Sequence, residues 1–277
     1  MIRLEKLHKR YGRFTAVESL DLEVKDGEIF GFLGPNGAGK TSTIRMMAGL
    51  IKPTSGDAWL NGISISKNPI EAKKLLGLIP DRPYLYEKLT GREYLRFICG
   101  IYGVASAHGE AAAKEMLRMF GLANWADELV EGYSHGMKQR LIMAGALVHD
   151  PKVLVVDEPM VGLDPRGARL VKEIFRGVAR NDRTVFLSTH SLDVAEELCD
   201  RIGILARGKL VAIGTMDELR GRSKGSKDLE GIFLALTAEA QQDDLAVVGA
   251  IPDDAKPAAP KADEPPPPIP DEREGLE

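Results

Sequence analysis

Apolar and polar residues alternate along the first 33 positions of the chain, and turn signals interrupt the alternation at Tyr11–Gly12 and Asp26–Gly27. A period of two predicts antiparallel strands, which here end in the apolar run IFGFL. A glycine-rich stretch follows this run, and TSTIRMMAGL after it has the apolar spacing of a helix. The pattern thus predicts a strand, a glycine loop and a helix in direct succession.

Two later runs, VLVVD (153–157) and TVFLS (184–188), are short, continuous and apolar. Strands of this kind are usually buried on both faces of a parallel sheet. From about 88 to 148 the apolar residues recur with helical spacing, and no segment there resembles a strand. We therefore predict an α/β fold with an N-terminal antiparallel β subdomain and an α-helical subdomain inserted at about 88–148.

The composition changes near residue 241. The last 37 residues hold eight of the sixteen prolines, including PPPPIP, and ten acidic against three basic residues. Such a segment cannot bury enough apolar surface to offset the entropy of ordering. We predict one folded domain over 1–240 and a disordered acidic, proline-rich tail over 241–277. A proline-binding partner for the tail is the alternative interpretation.

Charge and hydropathy exclude several classes of protein. The formal net charge is −4 and residues 1–240 carry only +3, so no nucleic-acid footprint is present. The start MIRLEKLHKRYG is too polar for a signal peptide, and no apolar stretch approaches the roughly 20 residues that cross a bilayer. Cys99 and Cys199 are far apart in apolar contexts, which predicts reduced, buried thiols and a cytosolic protein. We expect no nucleic acid partner and no direct bilayer insertion.

The glycine loop fits the pattern G-x-x-x-x-G-K-[ST] between a predicted strand and a predicted helix. In that context the glycines let backbone N–H groups point inward, and the helix N-terminus adds partial positive charge. A flexible loop without a ligand is the alternative. The sequence favours a triphosphate site made by Gly34, Pro35, Asn36, Gly37, Ala38, Gly39, Lys40, Thr41 and Ser42.

Two adjacent acids supply the chemistry that such a loop lacks. Asp157 ends the apolar strand VLVVD, where its carboxylate can reach a magnesium ion through water. Glu158 follows directly and can polarise a water that attacks the γ-phosphate. A solvated acid pair at a strand end is the alternative interpretation. Together with the loop, the pair predicts ATP hydrolysis with ATP and Mg²⁺ bound.

These residues resemble the ATPase subunits of ATP-binding cassette (ABC) transporters over about 1–237. GPNGAGKT is similar to the Walker A loop, VLVVDEP to the Walker B strand and YSHGMKQR to the family's signature. The segment KDLEGIFLALT (227–237) resembles the C-terminal helix of the drug-export, daunorubicin-resistance-like branch. The resemblance implies a P-loop NTPase (RecA-like) core inside the predicted α/β fold.

Further positions match the family one by one. Tyr11 resembles the aromatic that stacks on adenine, and GLD (162–164) resembles the loop that touches the opposite subunit. His190 lies at the switch position that contacts the γ-phosphate. Without the family spacing, a tyrosine such as Tyr11 is more typical of core packing, and a histidine such as His190 is more typical of an ordinary polar surface residue. Ser134 with Gly136 would then be a simple helix cap.

The resemblance assigns a role to each position. The catalytic residues are Glu158, His190 and Lys40; the metal ligands are Thr41, Asp81 and Asp157; Ser134 and Gly136 receive the partner subunit's triphosphate. It also implies a head-to-tail homodimer of ATPase subunits, an integral membrane permease as partner and a peripheral location on the cytoplasmic face of the cell membrane. The expected function is to power that separate permease, most simply as an exporter. The alternatives are a non-transport ABC ATPase acting on ribosome or DNA, and a small-molecule kinase.

The chain departs from the family pattern at three positions. Asp81 stands where the family has a glutamine that ligates magnesium, and His135 and Met137 replace a glycine and a glutamine of the signature. Oxygen ligands suit magnesium, so Asp81 remains a candidate ligand. The loop DRPYLYEKLT beside it is expected to expose Pro83, Tyr84, Leu85 and Tyr86 to the permease. Local packing of the helical insertion is the alternative for these side chains.

Overall fold

The computed structural model describes residues 1–81, 84–222 and 229–234, whose strands form two sheets. The strands are β1 (Ile2–Tyr11), β2 (Phe14–Val24), β3 (Ile29–Leu33), β4 (Ser55–Leu60), β5 (Ile63–Ser64), β6 (Leu76–Ile79), β7 (Val153–Asp157), β8 (Thr184–Thr189), β9 (Arg201–Ala206) and β10 (Lys209–Gly214). The helices are α1 (Lys40–Met47), α2 (Pro69–Lys74), α3 (Gly91–Ile101), α4 (Ser106–Met119), α5 (His135–Leu147), α6 (Pro165–Arg180), α7 (Leu192–Leu198) and α8 (Met216–Arg222).

The smaller sheet is antiparallel, with strand order β2-β1-β4-β5. Ile2 pairs with Val24 and Leu4 with Leu22, so alternate apolar residues share the buried face, as the period of two predicted. The expectation that IFGFL belongs with these antiparallel strands is wrong, because β3 lies in the other sheet. The sheet is completed by β4 and β5, whose short sequences carry too few apolar residues to signal a strand.

The larger sheet has the order β10-β9-β3-β8-β7-β6, and β3 pairs in parallel with both β8 and β9. Its strand β7 has the predicted limits, and β8 extends one residue further than predicted. Every residue of β3, β7 and β8 is buried, which explains why these strands read as continuous apolar runs.

Alternate residues of β7 enter two different apolar cores. Val153 and Val155 face the core that includes β1, β2 and α1, whereas Leu154 and Val156 face the core formed with the inserted helices and α6. The sheet therefore forms the middle layer between the antiparallel subdomain and the helices.

The insertion between β6 and β7 is helical, and its described residues form no strand. The side-chain oxygen of Thr90 accepts a hydrogen bond from the backbone N–H of Glu93, and the Glu93 carboxylate accepts one from the Thr90 N–H, so a complete capping box starts α3. Ser134 caps α5 by accepting from the N–H of Met137 at 3.3 Å. The predicted helical insertion is thus confirmed.

The prediction for the tail at 241–277 lies outside the described residues, as do residues 227, 228 and 235–237 of the 227–237 segment. Residues 229–234 are helical, and Leu229 and Ile232 are buried in a small core with Leu33 and Ile204. Within the described part of the chain, no helix combines the length and apolar character needed to cross a bilayer.

Both cysteines are free thiols, as predicted, but the prediction that both are buried is wrong for Cys199, which is half-buried. Cys99 is buried in α3, and Cys199 packs its sulfur against Gly31 of β3, where an added Cβ would lie only 2.8 Å away. Burial raises the pKa of both thiols, and that of Cys199 to about 12. Because alkylating reagents react with the thiolate, both side chains are poor nucleophiles in the folded protein.

We expect Cys99 and Cys199 to resist iodoacetamide at pH 8 in the native protein and to react fully in denaturant. At that pH only about one Cys199 in ten thousand is ionised when its pKa is near 12. Intact-mass spectrometry of timed samples measures the reaction, and the free thiol of glutathione provides the control. Native labelling as fast as that of glutathione contradicts the buried placement.

Candidate functional site

The glycine loop connects β3 to α1 at the carboxyl end of the parallel sheet, which is where α/β folds place their ligands. A Cβ at Gly34 would lie 2.4 Å from the carbonyl oxygen of Leu205, and one at Gly39 would lie 2.3 Å from that of Ala16. Gly39 also has a φ of 108°, in the region that favours glycine. The loop therefore needs these glycines to lie against its neighbours.

Lys40 is buried at the first position of α1, and its Nζ donates to the carbonyl oxygens of Gly34 at 2.6 Å and Pro35 at 3.2 Å. Burial lowers the pKa of Lys40, an effect opposed by the negative charges of Glu158 and Asp157. The ammonium is thus held inside the loop by backbone oxygens and is electrostatically coupled to both acids.

Two aromatic side chains line the pocket over the loop. Tyr11 and Phe14 are 46% and 61% exposed, so neither belongs to the core, and both line the same pocket as residues 36–42. The Nζ of Lys9 lies 5.0 Å from the centroid of the Tyr11 ring. An exposed aromatic surface beside a phosphate loop suits the face of a purine base. The sequence analysis identified Tyr11 but missed Phe14. The position of Phe14, two residues after the Tyr11–Gly12 turn, could have indicated that its ring lies beside that of Tyr11.

Oxygen atoms suited to magnesium meet where α1 faces β7. The Thr41 Oγ1 donates to Oδ2 of Asp157 at 3.5 Å. Burial raises the pKa of Asp157, and the neighbouring carboxylates of Asp81 and Glu158 raise it further. A divalent cation would relieve this repulsion. Among the described residues, no group of three or more Asp, Glu, His or Cys side chains could hold a metal alone. The arrangement fits magnesium, which binds few protein ligands together with substrate phosphates.

Contacts with the neighbouring strand fix the position of Glu158. Glu158 has a φ of 51° and donates its N–H to the carbonyl oxygen of Ser188 at 2.9 Å, which turns its side chain away from the course of β7. Its Oε1 lies 2.8 Å from Nδ1 of His190, and its Oε2 accepts from the Thr189 hydroxyl at 3.2 Å. Glu158 and His190 are therefore direct partners. Sequence reasoning missed Thr189, because a threonine at a strand end carries no distinct signal.

The signature helix meets the GLD loop of the same chain. A Cβ at Gly162 would lie 2.2 Å from Cδ2 of His135, so the imidazole packs directly on this glycine. Gly162 has a φ of 79°, and its carbonyl oxygen lies 3.5 Å from where a Gly136 Cβ would be. His135 thus fills the space above the loop. Within the described residues, neither Ser134 nor Gly136 lines the pocket over the glycine loop.

Fold and site together define a P-loop ATPase. The family model described as ABC transporter matches residues 17–161. The linearmycin resistance ATP-binding protein of Bacillus subtilis (strain 168) is 39% identical over 225 residues, which cover 81% of this chain and 72% of that protein. The bacitracin transport ATP-binding protein of Bacillus licheniformis is 42% identical over 225 residues, with the same two coverages, 81% and 72%.

A solved structure described as the ATP binding subunit of an ABC transporter superposes with a TM-score of 0.80 at 32% identity, covering 86% of this chain and 99% of that one. The chain belongs to the ABC transporter family and is its ATP-binding and ATP-hydrolysing subunit. The predicted family and fold class are confirmed, and the transport interpretation is supported over the ribosome or DNA alternative.

Replacing Gly39 with alanine is expected to abolish measurable ATP binding, because the methyl group would meet the Ala16 carbonyl oxygen in a backbone conformation that alanine avoids. Gly37→Ala is the matched control, since φ there is also positive, at 80°, but nothing lies within 4 Å. We expect the control to lose about tenfold or less, the equivalent of roughly 1 kcal/mol of backbone strain. Isothermal titration calorimetry measures the ATP affinity of both variants, and circular dichroism checks that each is folded. Equal affinities for the two variants would contradict the steric account.

Proposed function

We propose that the chain binds Mg·ATP, pairs head to tail with a second copy and drives a separate integral membrane permease that exports its substrate. The observation that carries this proposal is the meeting of Lys40, Asp157, Glu158 and His190 at one edge of the sheet. The names of the two bacterial relatives, which concern antibiotic resistance and transport, support a role in export. The permease places the chain at the cytoplasmic face of the cell membrane.

Each side chain has a part in hydrolysis. Lys40 and the loop amides bind phosphate oxygens and stabilise the charge that develops on them. Glu158 orients the attacking water and accepts its proton, while His190 holds the Glu158 carboxylate and contacts the γ-phosphate. Thr41, Asp157 and Asp81 would hold magnesium, which would offset the negative charge of the phosphate oxygens. Tyr11 and Phe14 support the base.

Two copies are needed because the signature lies outside the chain's own loop pocket. The start of α5 offers a helix N-terminus, the Ser134 hydroxyl and the Gly136 backbone as an anion receptor. In a head-to-tail pair, each copy presents this receptor to the triphosphate held by the other. The inserted helices α3, α4 and α5 have 11, 14 and 13 residues, so the described insertion contains no long coiled coil of the kind that ribosome- or DNA-directed relatives carry.

The Glu158→Gln variant is expected to lose hydrolysis by about 100-fold or more while retaining ATP binding, because the amide cannot accept the proton of water. Its nucleotide-bound dimer should therefore persist. Analytical ultracentrifugation with Mg·ATP tests for doubled mass, which should vanish in EDTA. A variant that stays monomeric, alone and with detergent-extracted host membranes, would refute the paired site.

Adding Ser134→Glu to Glu158→Gln should restore the monomer, because a carboxylate at the start of α5 repels the partner's triphosphate. The matched control adds Ser106→Glu, which places the same charge at the exposed start of α4. We expect the control to dimerise. Loss of the dimer in both double variants would show a general effect of charge rather than a role for Ser134.

The loop after β6 presents a surface for the permease. Tyr84 and Tyr86 are 92% and 61% exposed, and the Tyr86 ring packs edge-on against Phe97 at 5.2 Å. The expectation that Leu85 is exposed is wrong, since it is half-buried and packs against the core of the inserted helices. Pro83 lies outside the described residues. The exposed rings suit an apolar segment of a partner protein.

This docking loop, residues 84–89, is connected to the signature. Nζ of Lys138 in α5 lies 2.5 Å from Oε1 of Glu87, and the Lys88 ammonium lies 2.6 Å from a carboxylate oxygen of Glu131. Backbone N–H groups of Val130 and Glu131 donate to the carbonyl oxygens of Leu89 and Glu87. A permease that displaces the docking loop therefore moves the segment that leads into Ser134.

Tyr84→Asp is expected to reduce the fraction of the chain that sediments with host membranes by about tenfold, because a charge replaces an exposed apolar anchor. Its ATPase activity in solution should remain, since Tyr84 makes little contact with the core. Ile70→Asp is the matched control, as Ile70 is 72% exposed on α2, away from the docking loop. Equal membrane recovery of the two variants would contradict this docking surface.

A further inference from the structure

A large groove lies away from the nucleotide site. It has a volume of about 590 Å³ and is bounded by α4, the end of α5 and the second half of α6. Its lining includes Pro151, two residues before β7, and Arg183, directly before β8, whereas Asp157 and Thr189 end those strands. The groove is thus at the opposite edge of the sheet, roughly 13–17 Å from the acids at the strand rise of about 3.3 Å.

The inner surface of the groove is apolar. It is formed by side chains from three elements and the connecting segment, namely Ala112, Met116, Met119, Leu147, Val148, Pro151, Ile174 and Val178. Met119 is 39% exposed although it is large and apolar. Thioether side chains adapt their shape to varied ligands. A concave, mostly apolar surface of this volume falls within the range of small-molecule sites, about 300–1,000 Å³.

Gly177 of α6 leaves room in the groove. A Cβ added there would meet no atom within 4 Å, although Gly177 lies in the interior of a sixteen-residue helix. Glycine in such a position costs the helix roughly 0.5–1 kcal/mol relative to alanine. Among the described residues, no neighbouring atom therefore requires a glycine at this position.

The charge at the rim selects the ligand class. Glu115 of α4 and Glu173 of α6 lie on the two walls of the groove, and Asp150 lies at its end. The one basic residue of the lining, Arg183, forms an ion pair with Asp150. Glu173 has an ion pair with Arg176, which is outside the lining. The lining as a whole keeps an excess of negative charge over an apolar floor.

We propose that the groove between α4 and α6 is a binding site for small amphiphilic amines, whose cationic end lies between Glu115 and Glu173 and whose apolar chain lies on Met116, Met119 and Val178. This inference is independent of the proposed permease and of the paired nucleotide site. Because the groove joins an inserted helix to a core helix, an occupant contacts both subdomains at once.

Two probes with eight-carbon chains, octylamine and octanoate, test the ligand class. We expect octylamine to bind the full-length protein at least tenfold more tightly than octanoate in calorimetric titrations. Binding of octanoate as tight as that of octylamine would overturn the assignment.

Gly177→Leu adds a bulky side chain to the groove at a position whose Cβ meets no atom within 4 Å, and is expected to weaken amine binding at least tenfold. Gly100→Leu is the matched control, because Gly100 is also helical with nothing within 4 Å but lies outside this groove. The affinity for ATP should be unchanged in both variants, which verifies that the fold is intact. Unchanged amine binding in Gly177→Leu would refute the site.

Glu115→Gln combined with Glu173→Gln tests the charge separately from the shape. The preference for octylamine over octanoate should fall at least fivefold, while the groove remains open. A preference that stays the same would show that the rim acids do not select the ligand.

Discussion

The close approach of the glycine loop to two backbone carbonyl groups fixes the position of everything else in the site. Gly34 lies against Leu205 of β9, and Gly39 lies against Ala16 of β2, at distances that no side chain permits. The loop is therefore anchored to the parallel sheet on one side and to the antiparallel sheet on the other. Because α1 begins directly after Gly39, this contact also sets the direction of the helix and the place of Lys40.

The buried charged groups of the site stabilise one another electrostatically. Burial lowers the pKa of Lys40 and raises that of Asp157, so burial opposes the charged form of each group. The attraction between them opposes both shifts, while Asp81 and Glu158 add negative charge on the side where magnesium is proposed. Such a cluster is pre-organised to bind a polyanion together with a divalent cation, because the cation offsets the negative charge of both the polyanion and the carboxylates.

The sequence was most informative where one local rule decided the structure. The glycine pattern located the loop, and the segment Val153–Asp157 matched β7 at both ends because a strand buried on both faces is apolar up to its last residue. The antiparallel sheet was only half predicted. Its strands β4 and β5 follow α1 in the chain, and the pairing of β4 with β1 depends on long-range contacts that no short window contains.

The misses within the site have a similar cause. Leu85 was expected to be exposed with its tyrosine neighbours, but only the tertiary arrangement of the inserted helices shows that it packs inward. Thr189 and the contact of His135 with Gly162 depend on segments that are distant in sequence. The sequence identifies the chemical groups of the site, whereas only the three-dimensional structure shows which groups contact one another.

The helical insertion occupies a single crossover between β6 and β7, which are neighbours in the sheet. A parallel connection must cross the sheet face in any case, so lengthening it leaves the order of the strands unchanged. Surface residues of α3, α4 and the docking loop are consequently free to diverge while the nucleotide-binding edge stays intact. One ATPase core can thus be fitted to many membrane proteins during evolution by rewriting the residues of one connection.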